Sequence, residues 1–110
     1  MSSILVDGQI VHYETLGRGR PVFFLHSWVG SWRYWFPAMQ FISSSFCAYG
    51  VDMWGFGESA TNRKHYKINQ QADLFSRLLD EMGIGKVAII GHGLGALVGF
   101  DFCARWPNSV

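Results

Sequence analysis

Two unbroken apolar runs, Val22-Phe23-Phe24-Leu25 and Val87-Ala88-Ile89-Ile90, constrain this chain most. A strand with one wet face alternates apolar and polar residues. A run without alternation suits a strand covered on both faces, as in a parallel sheet flanked by helices. After Leu25 comes a loop, His26 to Ser31, and then a segment carrying Trp32, Trp35, Phe36, Met39, Phe41 and Ile42. Ser31 can cap a helix starting near Trp32, provided that Pro37 falls in a first turn. Ser43-Ser44-Ser45 ends that helix. After Ile90 comes the turn Gly91-His92-Gly93-Leu94-Gly95, then an apolar helix from Ala96 to Trp106 that Pro107 stops.

The remaining segments fit the same plan. Ile4-Leu5-Val6, the turn Asp7-Gly8 and the return from Ile10 to Leu16 read as a β-hairpin. Gly17-Arg18-Gly19-Arg20 turns the chain into the third strand. Phe46 to Val51 is a fourth strand, ending at Asp52, with a Gly-rich loop beyond it to about Tyr66. From Lys67 to Met82, residues Ile68, Ala72, Phe75, Leu79 and Met82 recur at spacings of three and four, the signature of one apolar helix face. Gly83 is placed to terminate that helix. The order strand, strand, strand, helix, strand, helix, strand, helix predicts an α/β fold: an N-terminal β-hairpin, then a mostly parallel sheet with flanking helices. One domain covers residues 1–110.

Composition narrows the function. With 49% hydrophobic and 15% charged residues, the chain is of the globular class. A net charge of +1 gives no electrostatic case for nucleic acid or an anionic membrane surface. The one basic cluster, Arg63-Lys64-His65, reads as a solvated loop. No apolar stretch approaches the roughly 18–20 residues that span a bilayer. The N-terminus lacks the pattern of a secretory leader. Cys47 and Cys103 have no metal spacing and read as reduced, buried thiols of a cytoplasmic protein. Nothing calls for a metal or cofactor.

Three motifs stand at the C-terminal ends of three strands, where open α/β sheets build their ligand sites. They are Leu25-His26-Ser27-Trp28-Val29-Gly30, the loop Asp52-Met53-Trp54-Gly55-Phe56-Gly57-Glu58-Ser59, and Gly91-His92-Gly93-Leu94-Gly95. In type, order and spacing they resemble the α/β-hydrolase family, and the resemblance covers Ile4 to Val110. The last motif is similar to the nucleophile elbow G-x-S-x-G, with Gly93 at the nucleophile position. Its flanking glycines answer a strand and a helix that pass very close. Glycine meets the strained dihedrals of an elbow without the cost, on the order of 1–3 kcal/mol, that serine would carry.

The resemblance implies a hydrolase of ester, amide or lactone bonds, acting through an acyl-enzyme and an oxyanion hole. The backbone amides of Trp28 and Leu94 would be the oxyanion donors. His26, Ser27, Trp28 and His92 would line the site for a small apolar substrate. Ser27 replaces the family's usual glycine, so that it either crowds the oxyanion loop or adds a polar contact. His26 and His92 match a structural loop histidine and a neighbour of the nucleophile, not the triad base. Trp32, Trp35, Trp54 and Phe56 read as packing, Asp52 as a loop anchor and Asp101 as structural. The triad acid and histidine would follow Val110, so the chain is expected to be a truncated core that is inactive as written. Loss of the nucleophile alone can cost about 10⁶ in turnover. Val87–Ile90 would then be an apolar edge open to self-association. A non-catalytic binding protein of the same fold is the alternative. A dinucleotide site on Gly91-x-Gly93-x-x-Ala96 is a weaker rival, because two buried strands precede the turn and the acidic ribose ligand would fall past Val110.

Overall fold

Why the two apolar runs do not share one fate is visible in the sheet. The computed structural model describes residues 2–6, 8–27, 30–53 and 67–110. Five strands form one sheet among them: β1 (Ser2–Val6), β2 (Gln9–Leu16), β3 (Arg20–Leu25), β4 (Phe46–Val51) and β5 (Ala88–Gly91), in the order β1-β2-β4-β3-β5. The hairpin β1–β2 is antiparallel, and β2 pairs antiparallel with β4. β3 is parallel to both β4 and β5. Val6 stands opposite Gln9, the register of a two-residue connection, and Gly8 takes φ 74°. Asp7 lies outside the described residues.

Helices cover both faces of β3. Successive side chains of a strand point to opposite faces. Val22 and Phe24 join Met39 and Ala48 in one cluster, backed by Trp32, Trp35 and Ile42 from the segment before β4. Phe23 and Leu25 face the larger cluster, built with α2 (Ile68–Met82) and α3 (Leu94–Arg105). There Phe23 stacks on Tyr49 at 4.6 Å and meets Phe75 edge-on at 5.3 Å. Phe75 in turn meets Phe102 of α3 edge-on at 4.9 Å. Burial pushes the Tyr49 phenol up to about 12, with contributions from Cys47 and Tyr13.

The local readings hold with shifted boundaries. The helix expected from Trp32 begins as a 3₁₀ turn over Trp32–Trp35, capped by Ser31, and continues as α1 (Phe36–Ile42). Pro37 thereby falls in the first turn of α1, where its missing N–H leaves no bond unmade. Gly83 ends α2 in the left-handed conformation at φ 71°. Leu74 and Leu78 are buried along with Ala72, Phe75 and Leu79, so the packed face of α2 is wider than the five periodic positions. Ile68 remains 36% exposed. Arg105 ties α3 to α2: its guanidinium reaches Asp73 at 2.6 Å, the Asn69 carbonyl at 2.8 Å and Asp101 at 2.9 Å. Asp101 is thus structural, as expected.

Two expectations need correction. The run Val87–Ile90 reads on its own as a strand covered on both faces, but β5 lies one residue later, over Ala88–Gly91, and stands as the open apolar edge also expected of it, with Ala88 and Ile90 exposed and Ile89 half-buried. Val87 is buried outside the ladder, its N–H donating to the Ser109 carbonyl at 2.9 Å. Among the described residues β5 pairs with β3 alone, and that place in the sheet, rather than its composition, sets its exposure. Cys47 and Cys103 are free thiols, but each is only partly buried. No helix among the described residues is long and apolar enough to cross a membrane.

Candidate active site

The parallel register brings the three motifs to one end of the sheet. Leu25 pairs with Val51 on one side and Gly91 on the other, so the residues after each strand emerge side by side. His26 fixes this end. The Met53 N–H donates to its Nε2 at 3.1 Å, which leaves the proton on Nδ1 to donate to the Ser27 carbonyl at 2.7 Å. The ring is 0% exposed. Burial holds its pKa below the ordinary 6.5, against the opposing pull of the Ser27 carbonyl and the Asp52 charge. Asp52 is likewise buried. Its Oδ1 accepts the Trp32 N–H at 2.7 Å, and its own N–H donates to the His12 carbonyl at 3.0 Å. These two residues anchor the loops and present no free group to a ligand.

The turn after β5 has the close packing that its glycines imply. A Cβ on Gly91 would lie 2.7 Å from the Ala96 nitrogen and from the Gly95 carbonyl carbon and oxygen. A Cβ on Gly95 would strike the Leu25 carbonyl and lie 2.7 Å from that of His26. Real Cβ atoms do not come so near backbone, so either substitution must push strand and helix apart. The His92 N–H donates to the Leu25 carbonyl at 3.3 Å, and the Gly93 carbonyl receives the Ala96 and Leu97 amides at 3.0 and 3.2 Å. Gly93 is the N-cap of α3 at φ 56°, ψ −119°, a backbone that favours glycine. Leu94 opens the helix, so its amide is among those with no intrahelical acceptor and with the positive end of the helix behind it.

The space in front of Gly93 is filled. A Cβ built there would overlap the hydroxyl of Ser27, with the Ser27 Cβ at 3.2 Å and Cα at 3.8 Å. Of the two roles open to Ser27, crowding is therefore met directly. The contact joins positions 27 and 93, the two at which the sequence departs from the motifs it resembles. His92 is exposed, with its ring stacked on Tyr34 at 5.7 Å between centroids and 14° between planes. Tyr34, 61% exposed, carries no sequence signal for this role. Trp28 and residues 54–59 of the second motif lie outside the described residues.

Trp32 and Trp35 pack on the core, as expected. Along the outer side of β5 runs an open apolar groove of about 380 Å³ that borders the turn at Gly91 and Ala96 and reaches Phe100 and Cys103. A second cleft, of about 430 Å³, lies at the opposite end of the strands between Arg20 and Lys86, away from the motifs. No group of three or more His, Cys, Asp or Glu side chains converges among the described residues.

Known proteins share this fold. The family model for the alpha/beta hydrolase fold matches residues 20–110. A soluble epoxide hydrolase of Corynebacterium sp. is 31% identical over 98 residues, covering 89% of this chain and 34% of that protein. Epoxide hydrolase 2 of Siraitia grosvenorii is 30% identical over 112 aligned positions, covering 99% and 35%. The crystal structure of an epoxide hydrolase from Vigna radiata superposes with a TM-score of 0.94 at 28% identity, covering 99% of this chain and 36% of that one. The chain thus spans about a third of the length of the relatives it matches.

Proposed function

The chain belongs to the α/β-hydrolase fold family, and from that premise we propose that it carries a hydrolase-type site for small apolar molecules whose elbow no longer supplies a nucleophile. The observation that carries this reading is Gly93. It keeps the elbow's backbone, with φ 56° and close-packed glycines on both sides, and has no side chain to attack a substrate. The Leu94 amide, and by resemblance that of Trp28, would hold a substrate oxygen at the start of α3. Substrates would be esters, amides or lactones by the family resemblance. The relatives named as epoxide hydrolases add epoxides to that class. By the resemblance, a histidine and an acid would complete a triad with the residue at 93. Such a site binds and polarises its ligand without a covalent intermediate at position 93. The free thiols Cys47 and Cys103 support a reducing, cytoplasmic setting.

Hydrolysis of 4-nitrophenyl acetate and of styrene oxide by the protein as its gene encodes it tests the reading. The expected result is no turnover above the uncatalysed rate for either compound. Turnover of either at ordinary enzyme rates, about 1–10³ s⁻¹, sinks it.

A further inference from the structure

Ser27 and Gly93 compete for one space. Ser27 is half-buried just past β3, and its hydroxyl occupies the point from which any side chain at 93 would grow. The geometry points to a reciprocal pair: the hydroxyl of this elbow comes from Ser27 instead of residue 93, and Ser27 decides both what position 93 can carry and which polar group a bound ligand meets. This deepens the proposed function and rests on its reading of the turn as a hydrolase elbow.

Neither backbone can step aside. Gly95 lies against the Leu25 and His26 carbonyls, and the His92 N–H is bonded to Leu25, so the turn is pinned to the end of β3. On the other side the Ser27 carbonyl is held by the buried His26 ring. The conflict is therefore settled between side chains. Rotating the Ser27 hydroxyl away removes the overlap with its oxygen but leaves its Cβ at 3.2 Å, still a tight contact. Glycine at either position clears the site outright; otherwise Ser27 must turn its hydroxyl away and its Cβ must give by a few tenths of an ångström. With Ser27 in place, a hydroxyl that can donate or accept stands beside the open amide end of α3. That suits a small ester-, lactone- or epoxide-type ligand with one acceptor oxygen.

A four-protein cycle tests the pair in the protein as its gene encodes it: the parent, Ser27→Gly, Gly93→Ser and the double variant. Thermal midpoints and labelling by an alkyl fluorophosphonate, with the labelled residue read by mass spectrometry, are the two measurements. Gly93→Ser alone is expected to lower the midpoint by on the order of 5 °C and to take no label. Adding Ser27→Gly should return about half of that loss, the remainder being the left-handed backbone at 93, and should allow labelling at residue 93. Gly93→Ala, with and without Ser27→Gly, repeats the steric part without a hydroxyl. Additive midpoint shifts in both series overturn the pair, as does a Gly93→Ser variant as stable as its parent. Coupled midpoints with no label on the double variant uphold the pair and count against the hydrolase reading of the site.

Discussion

The ends of β3 and β5 are written in nearly the same letters and behave oppositely. Each is an apolar run followed by a histidine and a small residue: Leu25-His26-Ser27 and Gly91-His92-Gly93. β3 sits between β4 and β5 with helices on both faces, so Phe23 and Phe24 are 0% and 1% exposed. β5 pairs with β3 alone among the described residues, and Ile90 is 41% exposed. His26 is sealed and bonded through both ring nitrogens, whereas His92 lies open with its ring on Tyr34. Ser27 fills the shared space, and Gly93 leaves it. An apolar run reports that a strand has little need of water. The strand's place in the sheet decides how much water it meets.

Matched truncations break this comparison most forcefully. Phe23→Ala removes a ring packed on Tyr49 and Phe75 and should cost about 3–5 kcal/mol. Ile90→Ala, the same operation on β5, should cost about 1 kcal/mol or less, because much of that side chain already meets solvent. Denaturant melts of the two variants with unchanged slopes would read the difference. Equal losses would mean that β5 is covered in solution as fully as β3.

The sequence carried the fold further than it carried the site. Alternating strands and helices, the hairpin at Gly8 and the helix stop at Gly83 are local signals, and each appears where its residues place it. The flanking glycines of the turn after β5 were equally legible, because a close approach of strand to helix leaves no choice but glycine at 91 and 95. The open edge at β5 followed from strand order alone, since a run of Val, Ala and Ile reads the same at a sheet's centre and at its edge. The overlap of Ser27 with position 93 joins residues far apart in sequence, and no periodicity or spacing encodes it. The stacking of Tyr34 on His92 is of the same kind.

His26 offers the next test, through pH. Its folded pKa is held below the ordinary 6.5 by burial, so the unfolded chain binds the proton more readily than the fold does. The stability owed to neutral His26 is thus fully present above pH 6.5 and is lost as pH falls through the depressed folded value. Protonation would also cost Nε2 its bond from the Met53 N–H. His26→Ala should destabilise by about 2–3 kcal/mol at pH 8, since the Met53 amide then lies buried with no acceptor. The same variant should also lose part of the parent's acid sensitivity below pH 6.5. Parallel pH profiles for the two proteins would take His26 out of the comparison.

The smallest effect belongs to the other histidine. His92 is exposed, and the contact given to its ring is the stack on Tyr34, itself 61% exposed. Removing such a surface contact moves stability by about 0.5 kcal/mol or less. His92→Ala should therefore melt within a degree or two of its parent. Its backbone is what the turn uses, through the N–H to Leu25 and the carbonyl that receives the Gly95 amide, and alanine supplies both. His92→Pro separates the two contributions, since it deletes the N–H to the end of β3 while also removing the ring. Equal melting of the alanine and proline variants would mean that the turn is not pinned to β3 through this amide, and the fixed backbone on which the Ser27–Gly93 conflict depends would lose one of its supports.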